Sequence, residues 1–136
     1  MRRLRLRRLL IDLPPPPDIV GLRLVQAADV GGMADLMFAA YVGTVDAEPS
    51  DTHAGAAQEV QATFDGSYGP FLPTASFVVE AGVRLASATL VTRYEGAPMI
   101  AFTMTAQAFA RRGFGRALML HSMAASRTGQ WEMANA

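Results

Sequence analysis

Residues 110–116 read Ala-Arg-Arg-Gly-Phe-Gly-Arg and run straight into an apolar stretch of helical character. That composition suits the capture of an anion. Amide N–H groups on the first turn of a helix have no partner within the helix, and they and the macrodipole both favour negative charge. Gly113 and Gly115 allow the backbone to approach a bulky ligand, while Arg111, Arg112 and Arg116 each offer a guanidinium fork to phosphate oxygens. The segment reads as a phosphate cradle.

Two familiar phosphate-binding patterns do not fit it. A P-loop requires a lysine, and all twelve bases of this chain are arginines. The dinucleotide fingerprint wants a glycine or alanine where Leu118 stands, and a strand immediately before the glycines. Other chemistry-bearing residues are scattered. Glu80 and Glu95 end β-rich runs, His53 falls at a helix start and His121 on a helical stripe. No spacing gathers them into a metal site. With no cysteine there is no thiolate nucleophile and no disulfide framework, which suits a cytoplasmic protein.

The cradle needs elements to hold it, and hydrophobic periodicity supplies them. "GLRLVQA" alternates and predicts a first strand. Asp29 then stands as an N-cap before Met33, Leu36, Met37, Ala40 and Tyr41 at helical spacing. "DTHAGAAQEVQATFDG" predicts a second helix, capped by Asp51 or Thr52, with Ala56, Val60 and Phe64 on one face. The period then shortens. "ASFVVE", "RLASATLVT" and "PMIAFTMT" predict three strands of an antiparallel meander, separated at Ala81-Gly82 and Glu95-Gly96. Phe114, Ala117, Leu118, His121 and Ala125 mark a last helix that stops near Gly129.

A chain of 136 residues, half of them hydrophobic, forms one domain with a real core. Twelve acids balance twelve bases, but unevenly. Five arginines crowd the first ten residues, whereas eight acids and no base lie between Arg23 and Arg84. The Arg-rich start is read as a solvated tail, because it lacks the interleaved aromatic residues of a nucleic-acid arm. Asp12 and Pro14–Pro17 break its apolar stretch, so a signal peptide is not expected there, and no run is long enough to span a membrane as a helix. The expected organisation is an Arg/Pro-rich segment over 1–18 and a domain over 19–136. Neither nucleic acid nor membrane is an expected partner.

A meander feeding an arginine-glycine loop and then a helix resembles the central part of the GNAT superfamily of acyl-CoA N-acyltransferases, over about residues 21–129. The family's pyrophosphate motif, Gln or Arg, two residues, Gly, one residue, Gly or Ala, is matched by Ala110 to Gly115, with Ala110 in place of the usual Gln or Arg. The resemblance implies an α/β (α+β) fold with a mixed, mainly antiparallel sheet flanked by helices. It implies acetyl-CoA as co-substrate, no metal, and transfer of acetyl to a primary amine of a small molecule or peptide. The pantetheine arm would follow the backbone of Thr103, Met104 and Thr105, and the pyrophosphate would meet Arg111, Arg112, Gly113, Phe114, Gly115 and Arg116. Tyr41, Thr44, Asp46 and Glu48 fall where the family's substrate loop lies, and the acidic middle favours a cationic acceptor. Tyr41, Tyr68 and Tyr94 all precede the motif, so none matches the tyrosine that protonates the departing thiolate, and the catalytic residues are not assigned. The chain ends before the family's last strands, which suggests a C-terminally truncated member that self-associates through an exposed sheet edge. A non-catalytic or degenerate acyl-CoA-binding module is the alternative.

Overall fold

The computed structural model describes residues 15–41 and 52–128. Strand β1 (Leu22–Leu24) is followed by helices α1 (Val30–Tyr41) and α2 (His53–Phe64). Strands β2 (Phe77–Ala81), β3 (Arg84–Tyr94) and β4 (Ala97–Thr105) come next, and helix α3 (Phe114–Thr128) closes the series. The order is the one the periodicity predicts. Among the described residues this is a mixed α+β protein with a four-stranded sheet in the order β1-β2-β3-β4. Every pairing in that sheet is antiparallel.

Side-chain alternation divides the sheet between two cores. Val78, Ala88, Leu90, Phe102 and Met104 join Met33, Met37 and Val60 under α1 and α2. The opposite face packs against α3, where Leu118 meets Val79 and Ala86, and Met119 and Ala125 meet Val91 and Ile100. Two irregularities keep these faces in place. Val79 pairs with Ser87 but Glu80 with Leu85, so Ala86 is an extra residue in β3. Leu90 pairs with Phe102 but Val91 with Ile100, so Ala101 is an extra residue in β4.

Local chemistry sets the boundaries. Glu95 and Gly96 both take positive φ, 53° and 75°, the conformation a two-residue hairpin turn demands. Thr52 rather than Asp51 caps α2, its hydroxyl accepting from the Gly55 N–H at 3.0 Å. The start of α1 differs from the expected cap. A 3₁₀ turn, Ala27–Asp29, precedes it, and Asp29 accepts from the Gln26 N–H at 2.7 Å from inside that turn. The reason is a tertiary partner for Asp29, Arg23 of β1.

Between α2 and β2 the chain runs beside the end of β3, with the Arg93 N–H on Pro70 O and the Leu72 N–H on Val91 O, both at 2.9 Å. Gly69 lies so close to β3 that a Cβ there would sit 2.0 Å from Arg93 O. Only glycine fits that approach.

Candidate anion site at the start of α3 and an adjoining cavity

The arginine-glycine loop connects β4 to α3. Beyond β4 the Ala106 N–H reaches Ala86 O at 2.9 Å, and a 3₁₀ turn, Gln107–Phe109, leads the chain away from the sheet. Arg111 and Gly113 then take positive φ, 64° and 79°. The Ala117 N–H donates to Gly113 O at 3.0 Å, which opens the helical ladder. The amides of Phe114, Gly115 and Arg116 precede that bond, so no carbonyl one turn back serves them. A Cβ on Gly113 would meet nothing within 4 Å, so its need for glycine lies in φ, not in space.

This first turn is seated on the end of β4. A Cβ on Gly115 would lie 3.8 Å from the Thr105 hydroxyl, which in turn lies 2.9 Å from the Ser87 hydroxyl. Backbone groups alternate sides along a strand. With the Ala106 N–H bonded to Ala86, the backbone of Met104 faces β3, and those of Thr103 and Thr105 turn to the other side of β4. Met104 also buries its side chain in the α1 core. Thr103 and Thr105 thus lie on the outer side of the last strand of the sheet among the described residues, and Met104 does not.

Arg111, Arg112 and Arg116 are exposed. The guanidinium carbon of Arg112 stands 5.2 Å from the centre of the Phe109 ring, and that of Arg84 stands 5.0 Å from the same centre. Two cations on one ring hold a positive edge beside the orphan amides. Arg84 was not legible as part of this group. It opens β3, far from the loop in sequence, and only its place at the end of the acid-rich stretch sets it apart.

The other expected residues are dispersed. Tyr41 ends α1, and Thr44, Asp46 and Glu48 lie outside the described residues. The Tyr68 hydroxyl bonds the Glu59 carboxylate, and its ring meets Phe102 edge-on with 5.8 Å between centres. Tyr94 ends β3 at the rim of the sheet. His53 pairs with Asp35 on the surface, and His121 contacts Pro17 O at 2.6 Å. Among the described residues no group of three or more His, Cys, Asp or Glu could hold a metal ion. Nor is any helix there long and apolar enough to cross a membrane.

Two of the eight acids of the middle stretch, Asp29 and Glu80, are compensated by Arg23. Arg23 donates to both oxygens of Asp29 at 2.7 and 2.8 Å, to Leu24 O at 3.1 Å, and through Nε to Glu80. These bonds tie β1, the 3₁₀ turn and β2 together. The hydrogen bonds from Arg23 hold the Asp29 carboxyl below the usual aspartate range against the opposing effect of burial, and the Gln26 N–H adds to the depression. The same bonds, led by those to Asp29, raise the Arg23 guanidinium above its ordinary value.

Beside this clamp is a cavity of about 410 Å³ between α1 and the β2–β3 hairpin. Gly32, Asp35, Leu36 and Ala39 of α1 form one wall, Glu80, Arg84 and Leu85 the other, and Ala106 closes the end nearest the loop.

Fold and site together define a mixed α+β protein with an arginine-lined helix start at the edge of an antiparallel meander. No protein-family model matches the chain, and no curated protein matches it. Among solved structures it resembles PH1933 from Pyrococcus horikoshii OT3, with a TM-score of 0.56 and 14% identity. The match covers 76% of this chain and 66% of that one, so this chain spans a little under two thirds of that protein. At that identity the likeness is one of fold.

Proposed function

We propose that the chain is a GNAT-type N-acetyltransferase that binds acetyl-CoA at the start of α3 and transfers its acetyl group to a primary amine. The observation that supports this best is the seating of α3's first turn against Thr105, which brings the orphan amides to the end of β4, with Arg112 on the Phe109 ring in the same loop. A pyrophosphate there would accept from the amides of Phe114 to Arg116 and from the loop guanidiniums. An extended arm could then bond the outward backbone of Thr105, as an added strand does. In the transfer, the amine lone pair attacks the thioester carbon, the carbon–sulfur bond breaks, and sulfur takes a proton as nitrogen loses one.

A non-catalytic acyl-CoA-binding module is the second reading. It is favoured by the state of the described tyrosines, since the Tyr68 hydroxyl is engaged by Glu59 and Tyr94 lies at the sheet rim. Calorimetry with CoA, followed by acetyl-CoA turnover against a panel of amines, separates the two. Binding with turnover supports the enzyme, and binding alone the module. The Arg111→Ala/Arg112→Ala pair should weaken binding by a few kcal/mol, at about 1.5–3 kcal/mol for each charge-assisted bond removed. Unchanged affinity in that variant excludes the site.

A further inference from the structure

The cavity beside α1 has a composition of its own. Its room comes from small residues on one helical face, since Gly32 and Ala39 lie two turns apart and a Cβ on Gly32 would already reach Leu85 Cδ1 at 3.4 Å. Its volume of about 410 Å³ falls in the range of small-ligand sites. Leu36 and Leu85 give it an apolar lining.

Its charges are divided by the Arg23 clamp. Arg23 and Asp29 satisfy one another, and Glu80 contributes one oxygen to Arg23. The second Glu80 oxygen and the Asp35 carboxylate are the acidic groups that remain, and exposed Asp35 also pairs with His53. Arg84, on the same hairpin wall as Glu80, stacks on the Phe109 ring and has no carboxylate partner among the described residues. A divalent cation finds no set of three ligands here, and Arg84 repels it. A phosphate meets carboxylates on both walls, and a wholly apolar ligand would desolvate the charges without replacing their bonds.

We propose that this cavity binds a free α-amino acid with an aliphatic side chain, its ammonium on Asp35 and Glu80, its carboxylate on Arg84, and its side chain against Leu36 and Leu85. The inference does not depend on the acyl-CoA reading, although Arg84 lies beside both sites. L-leucine, isoamylamine and isovalerate titrated calorimetrically into the full chain without CoA test it, the last two each carrying half of the leucine charge pattern. L-leucine should bind at least about tenfold more tightly than either half, a difference of about 1.4 kcal/mol. Arg84→Ala should remove the advantage over isoamylamine, and Asp35→Asn the advantage over isovalerate. Both side chains are on the surface, so both variants should melt as the parent does. Gly32→Leu fills the cavity and should abolish binding, and amide shifts at Gly32 and Leu85 should follow L-leucine in the parent. Absence of binding at millimolar L-leucine overturns the proposal, as does equal affinity for isoamylamine, full affinity in Arg84→Ala, or shifts confined to other residues. Arg84 also borders the arginine-glycine loop through Phe109, so the titrations without CoA and the Asp35→Asn and Gly32→Leu variants, which leave that loop untouched, are the arms in which the two readings fail separately.

Discussion

Asp29→Asn tests whether the Arg23 clamp holds the first strand to the first helix. The substitution keeps the shape of the side chain and removes its charge. Asp29 is 9% exposed, and its carboxylate accepts two bonds from Arg23 and one from the Gln26 N–H. Breaking a buried ion pair by removing one partner costs about 3–5 kcal/mol. Here the Arg23 side chain is 28% exposed and keeps Glu80, so solvent and the second acid reduce the loss to about 2–3 kcal/mol. For a domain of this size that is a fall in Tm of about 6–15 °C. Urea unfolding of parent and variant, repeated from neutral to acidic pH, measures it. The folded carboxyl titrates below its unfolded value, so its contribution is complete above about pH 4, the range of an unfolded aspartate, and disappears as pH falls through the folded value. The two stability curves should therefore converge in acid. A loss below about 0.5 kcal/mol, the size of an exposed pair, or a constant gap down to low pH would refute the reasoning.

Gly69→Ala should be among the most damaging single changes, because its Cβ would overlap the Arg93 carbonyl; a loss above about 3 kcal/mol in urea unfolding is expected, and a loss under about 1 kcal/mol would mean that the segment moves aside. Gly113→Ala should cost only about 1–2 kcal/mol, the penalty of a left-handed residue with open space around it, and thermal melts should show Gly113→Asn to be milder. The hydroxyls of Thr89 and Ser122 are buried and without hydrogen-bond partners among the described residues, so Thr89→Val and Ser122→Ala should be neutral or stabilising by up to about 1–2 kcal/mol. A clear destabilisation of either would point to a bridging water.

What the sequence by itself determined is the succession of elements and the chemistry of the loop. The change from helical to alternating period after Gly66 separates α2 from the meander, because 3.6-residue and 2-residue periods cannot share one face. Glu95-Gly96 marks its hairpin because its turn requires positive φ at both residues. Arg111, Arg112 and the glycines concentrate positive charge and backbone freedom in the loop through composition alone. Tertiary structure decided which groups meet. Arg23 and Glu80 are 57 residues apart, and they touch because β1 pairs with β2 in one register. Arg84 joins Arg112 on Phe109 because the hairpin carries the first residue of β3 to the end of β4, where the loop departs. The extra residue Ala86 lets Leu85 join the α1 core while Val79 and Ala86 pack on α3. Such contacts depend on register and bulges, where a shift of one residue turns a side chain to the other face. Local periodicity carries no record of that choice, and the cavity between α1 and the hairpin is its consequence.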